Sequence, residues 1–181
     1  MKLDKATVAN RYGEAIFEIA EEQGNIVAFS EELEELRQVF LANPQLSDVL
    51  VGAQLDLLEK QGLIKVLLKD ASPIIANVIQ MVFDYGRMGD MVGIIEEFER
   101  LCDVKEKVVH ATVTTAIKLD DDQLEKLSAK FAERIGANKI VFNNIIDEKI
   151  IGGVVIEANN QIFDGSISSK INKVKRLLAN Q

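Results

Sequence analysis

The chain has 181 residues, 48% of them hydrophobic, and a formal net charge of −8 with a pI near 4.8. That supplies apolar material for one full domain or two small ones and excludes disorder throughout. The acidic balance opposes a whole-molecule attraction to nucleic acid or anionic lipid, so neither is expected as a partner.

The charge is unevenly spread. Residues 1–106 hold 10 Lys and Arg against 20 Asp and Glu, whereas residues 107–181 hold 11 against 9. Two units with different partners are expected from that contrast, divided at 106/107. The lone cysteine, Cys102, allows no internal disulfide, and the opening MKLDKATVANRYG lacks an apolar signal core, which predicts a cytosolic protein. The most apolar stretch, 74–83, is too short to cross a bilayer and includes Asn77 and Gln80. Any link to a membrane is expected to run through a partner, without direct insertion.

Up to about residue 105, apolar residues recur at intervals of three and four, the spacing of one helical face. A first helix is predicted over 4–23, with Val8, Tyr12, Ala15 and Ile19 in one stripe and Gly24 as its terminator. A second, over 26–41, places Phe29, Leu33, Leu36 and Phe40 inward and Glu31, Glu32, Glu34 and Glu35 outward. Asn43-Pro44 reads as a cap opening a short helix to residue 50, and 54–69 gives a fourth. Ser72-Pro73 repeats the capping signal before a fifth helix to residue 85, and Asp90 is placed to cap a sixth through Cys102. The fold expected for 1–106 is a bundle of about six helices.

After Glu106 the period changes to two. Val109, Ala111, Val113 and Ile117 alternate with His110, Thr112 and Thr114, as on a strand with one buried face. A helix over 120–135, strands over 139–146 and 149–158, a tight turn at Asn159-Asn160 and a return strand at 161–163 follow. Ser166 is predicted to cap a final basic amphipathic helix with Ile167, Ile171, Val174 and Leu178 in its stripe. The second unit is therefore a small α+β domain, and the whole chain is mainly α.

No constellation for chemistry emerges from the residues. His110 has no second histidine to build a metal or nucleophile site, and Cys102 sits on an apolar helical face where cysteine acts as a small hydrophobe. Asp120-Asp121-Asp122 lacks the spacing of a calcium loop and suits a helix N-terminus, and Gly152-Gly153 lacks the spacing of a phosphate loop and suits close backbone packing. No catalytic residue, metal or cofactor is expected.

Surplus apolar surface is the stronger signal. Ala9, Gly13, Ile16, Phe17 and Ala20 form a second flank on the first helix, and apolar residues surround most of the fifth. Either both helices are central in the bundle, or they share an exposed groove for an amphipathic helix of another protein, which Ala9 and Gly13 would let approach closely.

The segment ANRYGEAIFEIA at 9–20 resembles the opening helix of the delta subunit family of F-type ATP synthases, which includes the mitochondrial oligomycin-sensitivity-conferring protein. The segments DEKIIGGVVI at 147–156 and FDGSI at 163–167 resemble that family's C-terminal signature, and NVIQMVFDYGR at 77–87 is a weaker match. The likeness covers essentially the whole chain in order. Two departures stand out: Gly13 where alanine is usual, expected merely to loosen the helix, and Ser168-Ser169-Lys170 in place of the common Arg-Gly-Arg.

The resemblance implies a non-enzymatic stator connector at the cytoplasmic face of the cell membrane, peripheral and held there through its complex. Its bundle would grip the N-terminal helix of an alpha subunit between the first and fifth helices, and its C-terminal domain would meet the b subunits of the peripheral stalk. Val8, Tyr12, Ile16, Ile19, Val78, Val82 and Tyr85 are the expected alpha-contacting residues, and Lys170, Ile171, Val174 and Leu178 the expected stalk contacts. A generic cytosolic helical adaptor is the alternative function, and copurified partners would discriminate the two.

Overall fold

A computed structural model describes residues 4–69 and 71–179. Among them the chain forms eight α-helices and four strands, in two compact units that divide at Cys102/Asp103. The division falls inside a helix, four residues before the one expected from the charge contrast, because the change of period at Lys107 marks the end of that helix.

The first unit contains α1 (Lys5–Glu22), α2 (Ile26–Ala42), α3 (Gln45–Val51), α4 (Leu57–Leu68), α5 (Pro73–Asp84) and most of α6 (Met91–Glu106). Gly24 and Gly86 follow α1 and α5 with φ of 64°, a left-handed conformation that costs glycine little. Asp56 and Glu59 form a reciprocal capping box at α4. Asn43, expected as an N-cap, instead ends α2: its Nδ2 donates to the Val39 carbonyl at 2.9 Å, and α3 starts two residues later without a side-chain cap. Asp90 lies in a 3-10 turn, its buried carboxylate 3.3 Å from the Arg87 guanidinium.

One core holds the bundle, built from Ile16, Phe29, Leu33, Phe40, Ile64, Ile75, Val82, Ile94, Phe98 and their neighbours. Each such side chain contributes about 1.5–3 kcal/mol by leaving water. An ion pair such as Arg100–Glu97, at 2.7 Å, has its arginine in solvent and is screened there, so it contributes little and the core decides stability.

A tight approach inside the bundle joins α1 to α6. A Cβ on Gly13 would lie 2.8 Å from the Glu97 Cβ and 3.1 Å from the Ile94 carbonyl oxygen, and a Cβ on Gly93 would meet the Ala9 methyl at 3.5 Å. Phe17 and Phe98 close the contact edge to face, with centroids 6.3 Å apart. Gly13 therefore does more than loosen a helix: it admits α6.

The second unit is a four-stranded sheet with order β2-β1-β3-β4, formed by β1 (Val108–Thr115), β2 (Lys139–Ile146), β3 (Val154–Ala158) and β4 (Gln161–Asp164). β1 and β2 pair in parallel across the helix α7 (Asp121–Ile135), and the other pairs are antiparallel. α7 starts with a capping box of Asp120 and Gln123 and stops at Gly136, φ 72°. Its Leu124, Leu127 and Phe131 cover Val109, Ala111, Val113, Ile140 and Ile156, while Phe131 meets Phe142 and Phe163 ring to ring.

The strand expected over 149–158 is shorter than its composition suggested. Glu148–Ile150 is a 3-10 turn, Ile151 has φ 67°, and pairing begins at Val154. Ile117 lies past the end of β1 and is exposed.

The α1–α6 approach gives a direct test. Gly13→Ala gains about 1 kcal/mol of helix propensity but overpacks the contact by about 1–3 kcal/mol. Chemical denaturation is expected to show net destabilisation, because the obstructing atoms are a Cβ and a backbone oxygen with little freedom to move.

Candidate functional site

Two surfaces were expected from the sequence, one in each unit. On the first, the structure separates the seven expected residues into two groups. Val8, Ile16, Val78 and Val82 are buried, and the last three belong to the bundle core. Ile19 and Tyr85 are 37% and 70% exposed, and Tyr12 is half-buried.

The two flanks of α1 thus divide differently from what periodicity suggested. Gly13, Ile16 and Ala20, read as surplus, are sealed inside the chain, whereas Ala15 and Ile19 are exposed beside the half-buried Tyr12, the three at i, i+3 and i+7. Ala9 and Gly13 admit the chain's own α6, not a foreign helix. On α5 and its cap, Asn77 and Tyr85 are exposed and Ile74 and Met81 half-exposed, again at helical spacing, with a Gln80–Asp84 hydrogen bond of 2.8 Å beside them. Ala15, Ile74 and Met81 were not among the expected site residues. The sequence held their signal in the spacing, but nothing in it said which of two apolar flanks would face out.

On the second unit, all four expected residues lie on α8 (Ile167–Ala179) and all are exposed. Ile171, Val174 and Leu178 are 40%, 55% and 69% accessible, so the stripe is not spent on the sheet. Lys170 stands beside it with Lys173, Lys175 and Arg176, all exposed. Burial of such a stripe, more than propensity, is what ordinarily stabilises a helix of this length.

The root of α8 is tightly built. A Cβ on Gly153 would lie 2.5 Å from the Gly165 carbonyl oxygen, one on Gly165 would lie 3.2 Å from the Val154 oxygen, and one on Gly152 would lie 2.9 Å from Ile167 Cδ1. Two backbone hydrogen bonds of 2.9 Å, Gly165 N–H to Val154 and Ile167 N–H to Gly152, lock the strands of chain together. The Gly-Gly and Asp-Gly-Ser segments are therefore one structural joint, which explains why only the smallest side chains occur there.

Ser166 caps α8 by accepting the Ser169 N–H at 3.1 Å, while Asp164 accepts the Ser169 hydroxyl and the Ser166 N–H. Those bonds, the hydroxyl first, hold the Asp164 carboxyl below its ordinary pKa of 3.8. Ser169, one of the departures from the usual basic triplet, thus closes the joint.

Other titratable groups serve the fold. Arg37 lies 2.7 Å from Glu34 and 3.6 Å from Glu99, tying α2 to α6. Hydrogen bonds from Gln38 and Arg37 lower the Glu34 pKa, and burial raises that of Glu99 despite the arginine. His110 Nε2 lies 3.0 Å from Asp103 Oδ2. Among the described residues no group of three or more His, Cys, Asp or Glu is arranged to hold a metal ion, and no helix is long and apolar enough to cross a membrane.

Comparison with known proteins bears on these surfaces. The family model for the ATP synthase delta (OSCP) subunit matches residues 8–178. The ATP synthase subunit delta of Lactiplantibacillus plantarum is 47% identical over 99% of each chain, and that of Limosilactobacillus reuteri is 50% identical over 98% of this chain and 99% of its own. A chain of the Toxoplasma gondii mitochondrial ATP synthase hexamer shares the fold, with TM-score 0.64 and 15% identity over 94% of this chain and 97% of its own.

The joint predicts two outcomes. Gly153→Ala combines a positive φ of 78° with a collision and is expected to cost about 2 kcal/mol or more, whereas Gly136→Ala, strained in φ but open in space, costs about 1 kcal/mol in the same urea titration. Because the folded pKa of Asp164 is depressed, its contribution is complete above the ordinary value of 3.8 and is lost as pH falls through the lower folded value. Asp164→Asn is expected to flatten that acid limb of stability, read by unfolding at a series of pH values, without changing its neutral plateau's shape.

Proposed function

Because the chain belongs to the ATP synthase delta (OSCP) subunit family, we propose that it is the stator connector of a bacterial F-type ATP synthase, a structural subunit without chemistry of its own. The first unit receives the N-terminal helix of an alpha subunit on the outward faces of α1 and α5. The second unit meets the b subunits of the peripheral stalk through α8. The complex holds the chain at the cytoplasmic face of the membrane, and the connector keeps the catalytic head from turning with the rotor, so that proton flow drives ATP synthesis.

One observation carries this reading: each unit leaves a helical face with apolar residues uncovered, Ile19 and Tyr85 beside the half-buried Tyr12 on one and Ile171, Val174 and Leu178 on the other. A joint under sustained torque needs slow dissociation, which favours buried apolar anchors over screened surface ion pairs. Val8, Ile16, Val78 and Val82 then act indirectly, by holding α1 and α5 in the bundle.

Ile19→Asp and Tyr85→Asp are expected to weaken an alpha N-terminal peptide by about tenfold or more each, with unfolding midpoints little changed. Val82→Asp, at a site with no exposure, is expected to unfold the bundle instead. Val174→Asp and Leu178→Asp should abolish capture of b subunits while leaving alpha binding intact. Retention of both partners by these surface variants in a pull-down, or full recoupling by them of stripped catalytic heads, would sink the assignment.

A further inference from the structure

The first unit has another apolar concavity, away from the outward faces of α1 and α5. It lies between α2, α4 and α5 and encloses about 260 Å³. Leu36, Ile75 and Ile79 form a buried floor, while Val39 and Val66 stand on the walls, 39% and 71% exposed. Glu32 and Glu35 complete the rim with Leu67 and Ala71, and among the described residues no lysine or arginine lines it.

The carboxylates of α2 have different duties. Glu32 Oε2 accepts the Ser72 N–H at 2.9 Å and so fixes the start of α5. Glu34 is engaged by Arg37 and Gln38 at 2.7 and 2.6 Å. Glu35, one turn beyond Glu31 and exposed like it, lines the groove without a structural task of that kind. Acid placed beside an apolar floor, in a unit with twice as many acidic as basic residues, sets the chemistry of what fits there.

We propose that this groove docks a basic amphipathic helix of a neighbouring protein, with one or two apolar anchors inserted between Val39 and Val66 and a lysine or arginine set against Glu35. The volume suits large apolar side chains entering from a helix that lies along the surface. The walls are already rigid, since their floor is the bundle core, so binding orders little of this chain. None of Tyr12, Ile19 and Tyr85 lines the groove, which makes it a site additional to the one proposed for the alpha subunit.

The probe is a stapled peptide of about four turns with leucines at i, i+4, i+7 and i+11 and lysines beside them, titrated against the full chain by fluorescence anisotropy. A companion peptide carries glutamates in place of the lysines. The lysine peptide is expected to bind about tenfold or more tighter than its companion, and Val66→Asp to weaken it by about tenfold or more. Glu35→Gln is expected to weaken it by about threefold at low salt.

Val66→Asp is the deciding variant, because it adds a negative charge at an exposed site without touching the floor. Undirected attraction of a cation to an acidic bundle predicts equal or tighter binding in that variant, and the groove predicts weaker. Equal or tighter binding by Val66→Asp overturns the proposal, as does equal affinity for the two peptides or the absence of binding by either.

Discussion

The contact of α1 with α6 governs what the first unit has left to offer. Gly13 and Gly93 remove side chains where the two helices meet, Ala9 offers only a methyl, and Phe17 packs edge to face against Phe98 beside them. Once that contact forms, the rotation of α1 about its axis is fixed. Ile16 and Ala20 must then point inward, Ala15 and Ile19 must point out, and Tyr12 lies at the boundary. A larger side chain at 13 would push the helix off α6 or turn it, and the outward residues would move with it. The smallest residue of the helix therefore decides the surface that its larger residues present.

That constraint also marks where sequence reasoning stopped. Periodicity located six helices in the first unit and the switch to strands near Val108, since spacing of three and four or of two follows from backbone geometry. Caps were legible where a side chain of the right length met an open N–H, as at Asp120 and Ser72. The facing of α1 was not, because both of its flanks are apolar and a single-helix pattern carries no record of its neighbours. Asn43 and Lys149–Gly153 went astray for a related reason: Asn43 caps the helix before it instead of the one after. The β-branched run at Lys149 gave way to a 3-10 turn, because Gly152 and Gly153 are committed to the root of α8. Local composition lost to a tertiary contact some dozen residues downstream.

The two uncovered faces are built on different principles. Those of α1 and α5 rest on a core whose members are almost wholly buried, so their side chains are presented on a rigid support and little order remains to be imposed by a partner. α8 is fixed at its first turn by the Gly153–Gly165 approach and the Ser166 cap, and none of its described side chains beyond that root is buried. Its helicity draws on propensity and on the cap, which for an isolated helix of thirteen residues is marginal in water.

A partner that covers Ile171, Val174 and Leu178 therefore does two things at once: it buries apolar area worth about 25 cal/mol per Å² and it consolidates the helix that presents that area. Part of the first gain offsets the ordering that the second requires. The joint at the root limits that cost, because a helix already started pays no nucleation penalty and extends from a fixed origin. This is why the glycines and Ser169 matter to a surface they do not belong to. They set where α8 begins and in which direction its stripe runs, while the stripe supplies the area, and a connector loses its grip if either is missing.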